Sequence, residues 1–269
     1  MYGLIIAFKR YRVSMGILRS PWVGFINFQR FFSSPTSMEI IWNTLALSVY
    51  SIVASFPLAI VLAISLNETK NKRWKKTIQM VTYAPYFIST VVLVAMMFQL
   101  LDSQIGIANL FLEMLGLPTQ NFLGNPKLFR HVYVWSSIWQ TSGYNAIIYL
   151  AALTGINPEF YEAAIVDGAN KFQRIKYIDM PSIMPTVIIL LILNMGYIMS
   201  VGFEKVYLMQ NALNLETSEI LSTYIYRVGL LNTDYSFSTA IGFFNSIINL
   251  VLLLTVNAIA KRTGEHSLW

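Results

Sequence analysis

The chain has 269 residues, of which 55% are hydrophobic and only 12% charged, with a formal net charge of +6 and no cysteine. Such a composition is too apolar for a soluble globular domain and belongs in a bilayer, and the lack of cysteine excludes disulfides and thiolate metal sites. The basic excess is the ordinary state of a membrane protein with cytoplasmic loops and gives no ground for nucleic acid as a partner; membrane lipid is the surrounding implied.

Met1 to Phe8 is apolar but reaches Lys9 too soon to span. It reads as the end of a first helix that begins before this chain, or, if Met1 is the true start, as a surface anchor. The basic lead, apolar core and small-residue site of a cleavable signal are not found there in order. Five later stretches are long enough to cross about 30 Å of hydrocarbon as helices, at 41–66, 77–101, 132–153, 183–203 and 237–260. No Asp, Glu, Lys or Arg lies in the middle of any of them. Ile105 to Leu115, ended by Gly116 and Pro118, is an amphipathic stretch that lies on the membrane surface or packs as a lid. With no internal repeat, low-complexity tract or linker, residues 1–269 read as one all-α membrane domain.

Asn157 to Pro185 reads NPEFYEAAIVDGANKFQRIKYIDMPSIMP, a polar segment between two apolar ones. Asn157 can cap a helix begun by Pro158, and Gly168 can end it in the left-handed conformation. A second short helix, about Lys171 to Asp179, puts Phe172, Ile175 and Ile178 on one face, and Pro181 is expected to close it. The first helix offers Glu162 and Asp167 for ionic contacts and an apolar face made of Phe160, Tyr161, Ala163 and Ala164. If this segment faces the cytoplasm, so do Asn67 to Lys76 and the C-terminus. The run Lys70, Lys72, Arg73, Lys75, Lys76 against a span favours that orientation, while Lys9, Arg10, Arg12, Arg19 and Arg30 near the N-terminus weigh against it. The stretches at 9–40, 102–131 and 204–236 then lie outside, long enough to receive a docked partner.

Uphill transport requires an energy source. The spans hold no carboxylate or histidine relay; His131 sits at a span edge and His266 in the tail. Sodium coupling at helices interrupted by Pro57, Pro85, Gly196 or Gly202 remains a second reading, beside simple proline kinks. No Gly precedes a Lys-Ser or Lys-Thr pair in P-loop spacing, so the chain is not expected to hydrolyse ATP, and it carries no cofactor. Energy must arrive from another subunit. Within the spans, Gln140 and Tyr144, Asn194 and Tyr197, and Asn245 and Asn249 each share a helix face. They read either as the lining of a wet cavity that a solute could use or as helix–helix hydrogen bonds; Trp135 and Trp139 read rather as an interfacial belt.

The string Glu162-Ala163-Ala164, Asp167-Gly168-Ala169, Pro181 and Pro185 resembles the EAA loop of permease subunits of bacterial ABC importers. The likeness runs nearly end to end, through Met1 to Lys9 (MYGLIIAFK), Pro21 to Phe32, Asn43-Thr44, Thr82 to Pro85 (TYAP), Phe203 to Tyr207 and Thr223 to Arg227 (TYIYR), and is nearest to the maltose, oligosaccharide and polysaccharide permeases. The resemblance implies a type I ABC importer transmembrane domain of about six spans, the first truncated here. It implies a second homologous permease, two cytoplasmic ATPases holding ATP and Mg, and an extracytoplasmic binding protein that delivers a sugar, with the outer segment from Glu204 to Arg227 reaching into it. Glu162, Ala163, Ala164, Asp167, Gly168 and Ala169 would couple the ATPase to alternating access. A permease for a non-sugar solute and an ion-coupled carrier are the other readings.

Overall fold

The computed structural model describes residues 2–262, Tyr2 by its backbone alone; His266 and the end of the tail lie outside the described residues. Among the described residues there is no strand, only an isolated bridge between Lys9 and Trp22. After a 3-10 segment at Tyr2–Phe8, the helices used below are α1 (Ile26–Phe32), α2 (Pro35–Asn67), α3 (Lys72–Tyr83), α4 (Thr90–Leu100), α5 (Ile107–Met114), α6 (Pro126–Thr154), α7 (Pro158–Val166), α8 (Lys171–Arg174), α9 (Met180–Met195), α10 (Phe203–Met209), α11 (Leu221–Tyr226) and α12 (Tyr235–Arg262).

The helix boundaries follow from local chemistry. Asn71 accepts hydrogen bonds from the Arg73 and Trp74 amides to start α3, and Asn125 accepts from Lys127 N–H at 3.0 Å with Pro126 in the first turn of α6. These oxygens satisfy amides that have no partner inside the helix. Gly116, at φ +72°, follows α5 at the position where the sequence predicts its stop. Lys261 and Arg262 occupy the last turn of α12, where a positive charge complements the helix dipole.

Three helical stretches, Pro35–Asn67, Lys171–Met195 and Tyr235–Arg262, are long and apolar enough to cross a bilayer, and Lys72–Phe87 with Thr90–Leu100 makes a fourth if the broken pair acts as one span. Helix α6, at 29 residues, is about 44 Å long. Ser136, Ser137, Gln140, Thr141, Ser142 and Asn145 dilute its hydropathy.

Three expectations change. The stretch at 77–101 is not one straight helix: it turns 3-10 at Ala84–Phe87, and Ile88 is extended. Proline at 85 lacks an amide for the helical ladder, so the ladder stops there. Pro181, by contrast, closes nothing. Residues 175–179 form a π-turn and the helix runs on through Pro181 into α9, the wider turn just before the proline taking up its missing amide. The same span ends at Met195, earlier than the expected Phe203.

Contacts divide the chain into two units. The first comprises Met1–Val49, Thr90–Tyr133 and Tyr197–Leu252. It holds an aromatic cluster in which Phe8 meets Phe25, Phe28 and Phe243, and Phe31 meets Phe32, Phe237 and Phe244. Its buried amide Asn43 donates to the carbonyls of Glu216 (2.7 Å) and Glu219 (3.2 Å) and accepts from Arg130 (2.8 Å). The second unit comprises Tyr50–Ser89, Val134–Gly196 and Leu253–Trp269. Its core sets Ala59, Ile60, Ala63, Ile64 and Leu66 of α2 against Ala146, Tyr149, Leu150 and Leu153 of α6 and Ile183 of α9. Lipid is as apolar as leucine, so close approach of backbones at small residues such as Ala59, Ala63 and Ala146 holds these helices together. Bulky apolar side chains of α2 such as Trp42 and Val53 are exposed, as a lipid-facing surface requires.

Gly143 in α6 lies so close to α3 that a Cβ there would sit 2.0 Å from the Thr82 carbonyl oxygen. Gly143→Ala is expected to destabilise the protein by about 1–3 kcal/mol through overpacking, read as a lowered melting temperature in detergent. Asn43→Ala leaves two carbonyls and a guanidinium without their shared partner, and a loss of about 1–3 kcal/mol is expected in the same measurement.

Candidate functional site

The polar loop is built by its own sequence. Asn157 accepts from Glu159 N–H at 3.1 Å and donates from its amide to the Glu159 carboxylate at 3.0 Å, with Pro158 at the first position of α7. At the far end Gly168, at φ +78°, donates to the Ile165 carbonyl (3.1 Å) while Ala169 N–H donates to Ala164 (2.8 Å). That pair of bonds is the Schellman closure, and it needs a residue that tolerates positive φ. Nothing lies within 4 Å of where a Gly168 Cβ would be, so backbone conformation alone demands the glycine. Asn170 and Gln173 then form a reciprocal capping box that opens α8. Two short helices are thereby fixed about one turn.

The outer surface of this unit is apolar as well as charged. Phe160, Ile165, Val166, Phe172 and Tyr177 are exposed, with Val166 at 87% and Phe172 at 82%, and Glu162, Ala163, Asp167 and Gly168 are exposed among them. Ala164 and Ala169 are half-buried. One expected member of the apolar face is placed elsewhere. Tyr161 is half-buried, and its hydroxyl donates to the Asp179 carboxylate at 2.5 Å. Burial, with the neighbouring Asp179 carboxylate next, pushes the Tyr161 phenol well above its ordinary range, so it stays protonated as a donor. Lys171 of α8 pairs with Glu68, just past α2, at 3.4 Å. Neither Asp179 nor Glu68 stands out from the sequence pattern; only their meeting with Tyr161 and Lys171 marks them.

The in-span polar residues divide by partner. Gln140 donates to the Ile88 carbonyl at 2.8 Å, and Tyr144 stacks on Tyr86 with ring centres 3.8 Å apart and 3° between planes. Both therefore brace the break after Phe87. Asn249 accepts from Met199 N–H (3.0 Å) and donates to Ser200 (3.0 Å), bracing the non-helical stretch before α10. Asn245 keeps a buried amide oxygen without a partner among the described residues. Tyr197 is 71% exposed, and Trp135 and Trp139 are exposed on α6. Asn194 donates to Leu190 and lines a cavity of about 110 Å³ with Ser55, Phe56, Asn145 and Tyr149. Volumes of roughly 300 Å³ or more are usual for organic ligands, so this space accommodates waters rather than a sugar ring. The sequence reading missed Asn145 and Tyr149 although they stand four residues apart on α6, whereas Ser55 joins them from α2 and no helical spacing could have found it. No group of three or more His, Cys, Asp or Glu side chains that could hold a metal occurs among the described residues.

Residues 55–265 match the family described as binding-protein-dependent transport system inner membrane component. Over its whole length the chain is 40% identical to the polygalacturonan/rhamnogalacturonan transport system permease protein YteP of Bacillus subtilis (strain 168), covering 84% of that protein. It is 29% identical to the arabinooligosaccharides transport system permease protein AraP of the same organism, over 89% of this chain and 75% of that one. Among solved structures, it superposes with a TM-score of 0.90 and 40% identity on a chain of a bacterial ABC transporter involved in the import of the acidic polysaccharide alginate, covering 97% of this chain and 87% of that one. A second, of the alginate ABC transporter in complex with alginate pentasaccharide-bound periplasmic protein, gives a TM-score of 0.92 at 38% identity over 99% and 88% of the two chains. The all-helical fold expected from the EAA-like loop is thus the type I importer fold, and the chain belongs to the inner membrane components of binding-protein-dependent transport systems, the permeases of ABC importers.

Proposed function

We propose that this permease imports an oligosaccharide or polysaccharide and that α7 is its coupling helix. The observation that carries the coupling assignment is the doubly capped loop at 157–174, which holds its exposed apolar and acidic side chains outward on a rigid turn. An exposed apolar surface of this kind is the mark of a docking site. Phe160, Ile165 and Val166 would fill a groove on a cytoplasmic ATPase, Glu162 would meet a basic residue there, and Ala163, on the exposed side, permits close approach. The loop and the C-terminus then face the cytoplasm, consistent with the Lys70–Lys76 basic cluster.

In this reading two ATPase subunits close on ATP and Mg, draw together the coupling helices of this chain and a homologous second permease, and turn the cavity outward. The extracytoplasmic binding protein releases its glycan into it. The carbohydrate assignment rests on the relatives, which are named for polygalacturonan, rhamnogalacturonan and arabinooligosaccharides, and on the alginate transporter. A non-sugar reading has one observation behind it: the chain is 27% identical to the sn-glycerol-3-phosphate transport system permease protein UgpA of Pectobacterium atrosepticum.

Glu162→Ala and Gly168→Val in the assembled importer, reconstituted in liposomes, are expected to lower uptake per ATP hydrolysed by about ten-fold or more, within the range of coupling between sites, while insertion and expression are unchanged. Normal transport by both variants removes α7 from the mechanism. Uptake of labelled acidic and neutral oligosaccharides by the same liposomes is expected to exceed that of glycerol phosphate. Uptake of the phosphate alone overturns the carbohydrate assignment, and uptake driven by an ion gradient without the ATPase overturns the ABC mechanism.

A further inference from the structure

A coupling helix transmits motion only as well as it is attached. The chain before α7 offers little stiffness of its own, since Gly155 and Ile156 separate α6 from the cap, while the capped turn at Gly168 to Asn170 fixes α7 only against α8. A push on Phe160 or Val166 would swing α7 about the first of these joints and load the second unless side chains tie it to the spans. Hydrogen bonds across such a joint resist displacement because their strength falls steeply with distance and angle.

Tyr161 makes that tie. Its hydroxyl reaches Asp179, eighteen residues along the chain, at the last position before α9 begins. Asp179 is fully buried, at 0% exposure, and its second carboxylate oxygen has no partner among the described residues. Burying a half-satisfied carboxylate is costly, and an apolar residue of similar size would fold as well or better, so stability does not explain it. The residue closes the π-turn at Ile175–Asp179, a geometry that inserts an extra residue into the helix and is found mostly at functional positions. On the other side of Tyr161, Asn67 and Glu68 at the end of α2 also act on its phenol, and Lys171 closes on Glu68. The foot of α7 therefore meets the end of α2 and the head of α9, both spanning helices.

We propose that the Tyr161–Asp179 hydrogen bond, supported by the Lys171–Glu68 pair, is the tether through which displacement of α7 is passed to α9 and α2, with Tyr161 and Asp179 as positioning residues for coupling. The proposal rests on α7 being the coupling helix. Its chemistry requires a donor at 161 and an acceptor at 179, and it does not require charge at 179. Tyr161→Phe removes one oxygen and leaves the ring packing in place. Asp179→Asn keeps an oxygen able to accept from Tyr161.

The test uses the assembled importer in liposomes, measuring uptake of the labelled glycan and ATP hydrolysis together, with retention of the ATPase subunits on purification and the melting temperature as folding controls. For Tyr161→Phe, uptake per ATP is expected to fall about five-fold or more, the lower end of typical coupling between sites, with the ATPase still bound and the protein folded at a melting temperature lowered by the lost hydrogen bond. Asp179→Asn is expected to retain coupling. A wild-type uptake-to-hydrolysis ratio in Tyr161→Phe overturns the tether. So does equal loss in Asp179→Asn and Tyr161→Phe with lowered melting temperatures, which marks both as merely structural. If Glu162→Ala and Gly168→Val uncouple while Tyr161→Phe does not, the docking surface stands and the tether falls. If all of them transport normally, the coupling assignment itself fails.

Discussion

The rest of the structure depends on one constraint: in hydrocarbon, every backbone N–H and C=O freed by a break in a helix must find a partner inside the protein. This chain breaks its helices repeatedly, and side-chain amides meet several of the freed groups, both within the spans and in the segments between them. Gln140 takes the Ile88 carbonyl where Pro85 ends the ladder. Asn249 takes the Met199 amide where α9 has ended. Asn43 holds the carbonyls of Glu216 and Glu219, and Asn214 those of Leu123 and Met209. Asn109 does the same for Asp102 and Gln120. An amide suits this work because it donates and accepts at once, so one residue can satisfy both kinds of orphaned backbone group.

That arrangement bears on where a solute passes. An amide engaged with backbone is not free to bind a hydroxyl without opening the break it closes, so Gln140 and Asn249 would contact a sugar only during a conformational change. Asn145 and Asn194 face a small cavity instead, and Asn245 holds an oxygen with no partner among the described residues. The cavity is smaller than a sugar ring requires. A permease that alternates between states would enlarge such a space by moving α2, α6 and α9, whose contact mixes alanines with isoleucines, leucines and Tyr149.

The loop at 157–174 obeys a different economy. Outside the spans water can satisfy the backbone, so its rigidity is built from local capping: Asn157, Gly168, Asn170 and Gln173 fix two helices and a turn within eighteen residues. Its exposed phenylalanine and valine side chains make an apolar surface of the kind found at docking sites. Its attachment inward, through Tyr161 to Asp179, is made of polar groups buried at the edge of the apolar region, where a hydrogen bond is strong and its loss conspicuous.

Local order was legible because it is encoded locally. The long apolar stretches, the cap at Asn157, the left-handed stop at Gly168 and the EAA-like string can be read residue by residue, the cap and the stop because they rest on bonds within a few positions. Pro181 misled because a π-turn just before it lets the helix run through a proline that would otherwise end it, and only the backbone path shows that turn. Tyr161 misled because helical periodicity assigns it a face but not the neighbour on that face. The pairing of Tyr161 with Asp179, the stacking of Tyr144 on Tyr86 and the closeness of Gly143 to Thr82 join residues far apart in the chain. The sequence alone determined a membrane-spanning helical permease with a capped polar loop between two spans. Which polar side chains brace the backbone, which line a cavity and which tie that loop to the spans was decided by tertiary packing, because the same asparagine or tyrosine serves any of these roles and its neighbours across the bundle select one.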